Sequence, residues 1–365
     1  MTASGPLEGV RVVEFAGIGP APFCAMLMSD LGADVLRIDR PGGGPPANDI
    51  TCRGRRSLQL DLKAPADVET ALRAIEKADV LIEGFRAGVM ERLGLGPDAA
   101  TARNPRLIYA RMTGWGQDGP LAQAAGHDID YIALAGALAG IGPVEGPPTP
   151  PLNLVGDFGG GALYLVMGVC AALYERERSG KGQVIDAAIV DGAASLMANA
   201  LWLRADGLTD PRRGRGLLAG AAPFYRCYRC ADDRWLAVGA IEPQFWALLT
   251  ELLGAPELRD RQYDTARWPQ TAEALAAIFA GRPSAEWLSL LEGTDACVAP
   301  VLDALEAAAH PHLAARRTYV ERDGRLQPNA APRFSRTPGA IQGPTPGGGE
   351  GGDQVLANWG VEREG

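Results

Sequence analysis

Two side chains capable of acid–base chemistry lie beside glycines, where a bound molecule could approach them. His127 lies in QAAGHDIDY, between a glycine and a predicted helix. Asp157 lies in NLVGDFGGGALY, where glycines flank one acid ahead of an apolar helical stretch. Histidine exchanges protons near neutral pH, and a carboxyl group does so once burial has raised its pKa. The two residues indicate general acid–base catalysis, and two simpler roles stay open: a loop or capping histidine, and an aspartate that caps the helix.

Another acid and two further histidines have weaker settings. Glu242, in VGAIEPQFW, lies where a predicted strand leads into a helix, and on its own it is most simply a helix-start acid. His310 and His312 form HPH beside an alanine-rich helical pattern. We expect a surface or structural role for these two histidines.

The loop Gly17-Ile18-Gly19 after the first predicted strand invites comparison with a dinucleotide-binding loop. That fingerprint requires a third glycine, and Pro22 occupies its place, while Pro20 crowds the loop. Arg40, directly after the second predicted strand, suits a phosphorylated ribose. An NADP-dependent dehydrogenase is therefore one alternative, but a nucleotide-like acyl carrier on the same kind of sheet is favoured.

The cysteines indicate neither zinc nor a disulfide scaffold. Cys227 and Cys230 form a CxxC pair, but positions three apart in a strand point to opposite faces. No second pair completes a four-ligand site. Six cysteines in 365 residues are too few for a disulfide-stabilised scaffold.

Composition excludes several classes of protein. The chain has 35 Lys and Arg against 44 Asp and Glu, a net charge of −9, which argues against nucleic acid or an anionic membrane as partner. The longest apolar run, 159–174, is shorter than the roughly 20 residues of a spanning helix and predicts a buried core helix. The N-terminus lacks a secretory pattern. We expect a soluble, cytoplasmic protein.

Alternating strand and helix patterns in the first half must position the candidate residues. A helix is predicted over 65–78, with Pro65 in its first turn. Alternation of this kind predicts an α/β fold with a mainly parallel sheet. The predicted strands are 10–16, 33–39, 78–84 and 107–114.

The second half has a different pattern. Residues 206–221 predict a linker after a large domain of residues 1–205. A smaller α+β domain is predicted over 222–325, opening with a hairpin whose turn is ADDR and continuing with helices. Residues 326–365 are predicted to form a return segment and a flexible Gly/Pro-rich tail.

Eleven segments together, in order over roughly residues 5–320, resemble one known family. They are VVEFAGIGPAP, LGADVLRIDRP, LDLK, LIEGFR, ERLGLG, IYARMTGWGQDGP, GHDIDY, PLNLVGDFGGG, SGKGQVIDAAIVDG, GAIEPQFW and DACVAPV. The chain is similar to the α-methylacyl-CoA racemases, within the class III CoA-transferase superfamily. The resemblance implies a Rossmann-like large domain, a small domain and an interlocked homodimer, with each active site formed between two subunits.

The resemblance also implies roles for individual residues. His127 and Asp157 would be the catalytic pair, with Glu242 beside the histidine. Arg40 would bind the nucleotide part of coenzyme A, and residues 126–131 would surround the thioester. The complete set of implied substrate and coenzyme A contacts is Ile18, Arg40, Leu60, Asp61, Leu62, Lys63, Gly84, Phe85, Arg86, Arg92, Gly126, Asp128, Ile129, Asp130 and Tyr131.

The implied reaction is interconversion of (R)- and (S)-2-methylacyl-CoA by proton transfer through an enolate. No cofactor is expected beyond the coenzyme A of the substrate, and no metal. In CoA-transferases of this superfamily the aspartate matching Asp157 is the nucleophile and the histidine is typically missing. The presence of His127 therefore favours the racemase, with the transferase as the alternative.

Overall fold

The computed structural model describes residues 4–207, 210 and 212–363, which form two compact units. The first contains residues up to 135, 152–196 and those from 312 onwards; the second contains 136–151 and 197–311. These bounds differ from the predicted domains. Residues 136–151 join the second unit, where the guanidinium of Arg213 donates to the carbonyls of Pro143 and Gly146. The predicted linker also belongs to this unit, and its residues 208, 209 and 211 lie outside the described part.

A six-stranded parallel sheet organises the first unit, in the order β3-β2-β1-β4-β5-β6. This is the strand order of doubly wound nucleotide-binding sheets, so the predicted α/β fold is confirmed. The sequence pattern did not predict β3 and β6. The sequence of β3, RSLQ, is a polar edge segment, and that of β6, QVIDAA, is half exposed. The strands are β1 (Arg11–Phe15), β2 (Asp34–Asp39), β3 (Arg56–Gln59), β4 (Val80–Glu83), β5 (Ile108–Thr113) and β6 (Gln183–Ala188).

Helices cover both faces of the sheet, and apolar clusters fill the space on each side. The 65–78 helix forms as predicted, with Pro65 at its first position and Ala71, Ala74 and Ile75 buried. The helices in chain order are α1 (Pro20–Asp30), α2 (Pro65–Lys77), α3 (Val89–Arg92), α4 (Pro97–Arg103), α5 (Asp128–Leu134), α6 (Leu163–Ser179), α7 (Ile189–Leu196), α8 (Ala198–Ala205), α9 (Pro243–Leu252), α10 (Trp268–Phe279), α11 (Ser284–Leu291), α12 (Ala304–Ala309), α13 (Pro311–Ala315) and α14 (Gly352–Trp359).

The predicted core helix at 159–174 forms as α6, preceded by a π-helical segment, Leu154–Ala162. Leu154–Ser179 is long and apolar enough to cross a membrane by length and composition alone, which is weak evidence because core helices pass the same test. One face of α6 packs against the sheet through Leu165, Val169 and Ala172. The opposite face leaves apolar side chains exposed.

The second unit contains the predicted hairpin. β7 (Tyr225–Arg229) and β8 (Trp235–Gly239) pair antiparallel around the ADDR turn, and β9 (Val298–Pro300) adds to β8. Helices α9, α10 and α11 follow within the predicted α+β domain. Aromatic side chains contribute to the core of this unit, where Phe224, just before β7, packs edge-on to both Trp246 of α9 and Trp268 of α10.

The chain returns to the first unit after residue 311. β10 (Tyr319–Arg322) and β11 (Arg325–Pro328) form a hairpin, and α14 packs its Val355, Leu356 and Trp359 into the core beside β3. The Gly/Pro-rich stretch 338–352 has hydrogen-bond partners on β3: Gly349 N donates to Ser57 Oγ (2.9 Å) and Ser57 N to the Glu350 carbonyl (2.9 Å). The edge of β3 needs partners, and this segment supplies them.

Candidate active site

A cavity of about 390 Å³ opens at the carboxyl ends of β1, β4 and β5. In open α/β sheets, ligands bind where the strand order reverses, and here that point lies between β1 and β4. The loop after β1 contributes Ile18 and Gly19, and the loop after β4 contributes Gly84, Phe85 and Arg86. His127 and Asp157 line the same cavity. The topology therefore brings together residues that are more than a hundred positions apart in sequence.

His127 is held at the start of α5, where it is the N-cap residue in an extended conformation. Its backbone N–H donates to the Asp130 carboxylate at 3.0 Å, which closes the first turn of the helix. The imidazole is exposed toward the cavity. The sequence GHDID thus places histidine just outside the helix, beside the backbone N–H groups of the first turn.

Asp157 lies within the π-helical segment, a rare backbone form that is frequent at functional sites. It is half-buried, and burial followed by the charge of Asp128 raises the pKa of its carboxyl group. A hydrogen bond from Asn153 and the charge of His127 act in the opposite direction. Glycine is required at position 19, where φ is +70° and a Cβ would lie 3.1 Å from Asp157 Oδ2.

The wall of the cavity includes side chains that the sequence had not singled out. Trp115, after β5, packs edge-on to Tyr131 at 4.8 Å between ring centroids, and the Tyr131 hydroxyl donates to the Gly126 carbonyl. Met112 and Ile189 also line the cavity. The GWG motif and the position of these residues at strand ends could have indicated a cavity wall. Apolar residues at such positions are equally typical of a protein core, so the sequence did not distinguish the two roles.

The residues expected to contact coenzyme A fall into several places within the first unit. Leu62, Lys63 and Arg92 line a second groove of about 400 Å³ between the loop before α2 and the end of α3. Arg40 and Asp61 are exposed at the ends of β2 and β3. Leu60 is almost completely buried in the core, and its N–H donates to the Asp39 carbonyl at 2.9 Å, so neither its side chain nor this N–H is exposed to a ligand.

The remaining candidates of α5 are its first-turn residues. Ile129 is exposed, and Asp130 closes the turn onto His127. Asp128 contacts the chain beside Asp157: its carboxylate accepts from Gly156 N at 3.1 Å. The carboxylates of Asp128 and Asp130 therefore each accept a hydrogen bond from a backbone N–H.

Glu242 belongs to the second unit, where it is the N-cap residue of α9 and is exposed. Its charge, after burial, helps to raise the pKa of the Cys297 thiol and of Tyr263. Among the residues that the structure describes, no group of three or more His, Cys, Asp or Glu side chains could hold a metal ion.

The chain is similar to known proteins in sequence and in fold. The family model of CoA-transferase family III matches residues 7–351. The chain belongs to CoA-transferase family III. The alpha-methylacyl-CoA racemases of Mus musculus and Homo sapiens, which are curated relatives, are 46% and 45% identical to it, over 98% of this chain and 94% of each relative. A crystal structure of a CAIB/BAIF family protein from Brucella suis has a TM-score of 0.83 and 28% identity, covering 98% of this chain and 100% of that one. Family III membership agrees with the motifs that suggested it.

Proposed function

We propose that this family III protein is an isomerase that interconverts (R)- and (S)-2-methylacyl-CoA thioesters. The observation that carries the proposal is that His127 and Asp157 line one cavity at the switch point of the sheet. Identity of 45–46% with racemases of this specificity supports the substrate class.

Inversion of a centre beside a thioester requires one group to remove the α-proton and another to return a proton to the opposite face. In our proposal His127 serves one face and Asp157 the other. Each must change protonation state during the reaction, and histidine is the residue type most often used for such proton transfers. The raised pKa of Asp157 brings the carboxyl group toward that range. The charge of His127 also acts on Asp157 and lowers the pKa of its carboxyl group.

The enolate formed between the two proton transfers needs hydrogen-bond donors at its oxygen. The first turn of α5, which begins at Asp128, contributes backbone N–H groups and the positive end of a helix dipole. Coenzyme A would be held by its nucleotide part through Arg40, Lys63 and Arg92. No further cofactor is needed in this mechanism.

We further propose that the protein acts as a homodimer in which Glu242 of one subunit orients His127 of the other. An apolar face of α6, with Leu163, Met167 and Tyr174 one above the other, is exposed in the single chain. Leu196 at the end of α7 and Trp202 on α8 are exposed as well. Exposed apolar patches of this kind are typical of protein interfaces, and a second copy of the chain is the occupant that the resemblance implies.

The decisive experiment is incubation of one pure enantiomer of a 2-methylacyl-CoA in deuterium oxide, followed by NMR. We expect racemisation together with α-deuterium incorporation. His127→Ala and Asp157→Ala should each lose racemisation by about 10²–10⁴-fold. Each should retain α-deuterium exchange with a different enantiomer, because one base remains on one face. Similar residual exchange of both enantiomers by both variants would contradict the two-base assignment.

The same samples test the alternative, an acyl-CoA:carboxylate CoA-transferase with Asp157 as nucleophile. Such an enzyme would transfer coenzyme A to a free acid and accumulate an anhydride on Asp157 that hydroxylamine traps. Hydroxylamine-dependent inactivation without α-deuterium exchange would replace the racemase proposal by this one.

A further inference from the structure

We infer that the side chain of Asp128 is a positioning residue that fixes the backbone of Asp157 and keeps its carboxyl group suited to proton exchange, a role that rests on the proposed racemase reaction. Asp128 makes contacts that the acid–base pair itself does not explain. Asp128 neighbours His127 in sequence but reaches the other member of the pair in space.

The first observation is the hydrogen bonding of the Asp128 carboxylate. Both of its oxygens lie within bonding distance of Gly156 N, at 3.1 and 3.3 Å, and the Asp157 N–H donates to it as well. These are backbone donors in the first turn of the π-helical segment, where no intrahelical acceptor is available. A carboxylate at that position satisfies them and fixes the turn that carries Asp157.

The second observation is how tightly this contact is packed. Gly156 is buried, and a Cβ built on it would lie 2.3 Å from Asp128 Oδ2. Position 156 therefore has no room for a side chain between the carboxylate and the backbone. The contact fixes α5, which carries His127, to the segment that carries Asp157.

The third observation is electrostatic. The negative charge of Asp128 opposes ionisation of Asp157, and His127 favours it. Tyr131 of α5 also faces Asp157, since the charge of Asp157 helps to raise the pKa of that phenol after burial. Arg86, on the loop after β4, contributes a positive charge to the same cavity. Asp128 is the group among these that both bonds the backbone of Asp157 and disfavours its negative charge.

Two substitutions separate these effects. Asp128→Asn keeps an oxygen that accepts from the backbone but removes the charge, so the pKa of Asp157 should fall. Asp128→Ala removes both. A misplacement of about 1 Å costs on the order of 10²-fold in rate, so we expect a loss of that order in kcat for Asp128→Ala, with KM changed less than kcat. Asp128→Asn should retain more activity than Asp128→Ala.

The pH profile tests the electrostatic part. α-Deuterium exchange in the His127→Ala background proceeds through Asp157, which must be deprotonated to act as base. Its rate therefore falls as the pH drops through the pKa of Asp157. Adding Asp128→Asn should move this acidic limb to lower pH. A purely structural role of Asp128 would lower the rate and leave the limb in place.

A measurement independent of activity tests the positioning part. Hydrogen–deuterium exchange by mass spectrometry should show faster amide exchange at residues 156 and 157 in Asp128→Ala than in the wild type. Asp98→Asn, which removes an exposed first-turn acid from α4, is the matched control and should leave these amides unchanged. Unchanged amide exchange in Asp128→Ala together with an unmoved acidic limb in Asp128→Asn would overturn the inference. Absence of exchange and racemisation in the wild type would instead overturn the proposed function, and amide exchange would still decide the positioning role.

Discussion

At the scale of single residues, the first unit contains a cluster of buried charges centred on β1, the strand that leads into the loop Gly17-Ile18-Gly19. Glu14 on β1 lies between two guanidinium groups, 3.2 Å from Arg37 Nη1 and 2.8 Å from Arg55 Nε, and all three side chains are buried. Arg55 also donates to the Pro22 carbonyl on α1. Because buried ions are compensated only while all partners are present, the cluster makes the first turn of α1 sensitive to the loss of any one member.

Substitution of Glu14 should therefore be costly for stability. Glu14→Gln leaves Arg37 and Arg55 buried with one negative charge fewer, and we expect a loss of about 3–5 kcal/mol in the free energy of unfolding. Urea unfolding followed by circular dichroism measures it. Glu69→Gln is the matched control, since Glu69 also pairs with two arginines, Arg73 and Arg103, but near the surface, and should cost about 0–1 kcal/mol. Equal costs would show that burial of the cluster does not matter.

At the scale of elements, the C-terminal segment holds the loop that carries Arg40. Gly348 packs on this loop so closely that a Cβ there would lie 2.1 Å from the Gly43 carbonyl oxygen. Gly43 in turn lies against the Arg40 side chain. The Ser57 hydroxyl, which accepts from Gly349, donates to Asp39 at 2.7 Å, directly before Arg40. Residues far apart in sequence thus fix the proposed binding position for the coenzyme A nucleotide.

Gly348→Ala should displace the Arg40 loop and raise KM for 2-methylacyl-CoA with a smaller effect on kcat, because a contact far from the reacting carbon is equal in ground and transition states. Arg40→Ala should show the same pattern. A truncated thioester that lacks the nucleotide should be insensitive to both. Gly347→Ala is the neighbouring control, since its Cβ would lie 3.4 Å from the flexible Glu350 carboxylate. Steady-state kinetics that showed the same KM increase with the truncated substrate would refute the connection.

The same elements show what the sequence can predict and what it cannot. The strands β1, β2, β4 and β5 are apolar runs buried on both faces, so their pattern identified them. β3 has no such pattern, because part of its stabilisation comes from residues near 350, almost three hundred positions away. The placement of His127 at a strand-to-helix loop and of Asp157 just before the apolar helix α6 was visible in their glycine-flanked motifs. The contact between Asp128 and Gly156 was not, because it depends on how a π-helical turn meets α5.

At the scale of the whole molecule, the proposed pairing of subunits would cover an apolar helix face that is exposed in the single chain. α6 buries one side against the sheet and exposes Leu163, Met167 and Tyr174 on the other. Apolar surface of this extent on one helix is unfavourable in water. In the proposed dimer, Glu242 from the second unit of one chain would orient His127 from the first unit of the other.

The dimer is tested by adding charge to the exposed face of α6. Light scattering coupled to size-exclusion chromatography should find the wild type as a dimer of the 38.3 kDa chain. Met167→Glu places a carboxylate in the proposed interface, so it should shift the population toward monomer and lower racemase activity in parallel. Leu290→Glu adds the same charge at an exposed position on α11 and should leave both unchanged. A wild-type monomer that racemises 2-methylacyl-CoA at full rate would show that each chain carries a complete site, and Glu242 would then have no role in orienting His127 of another subunit.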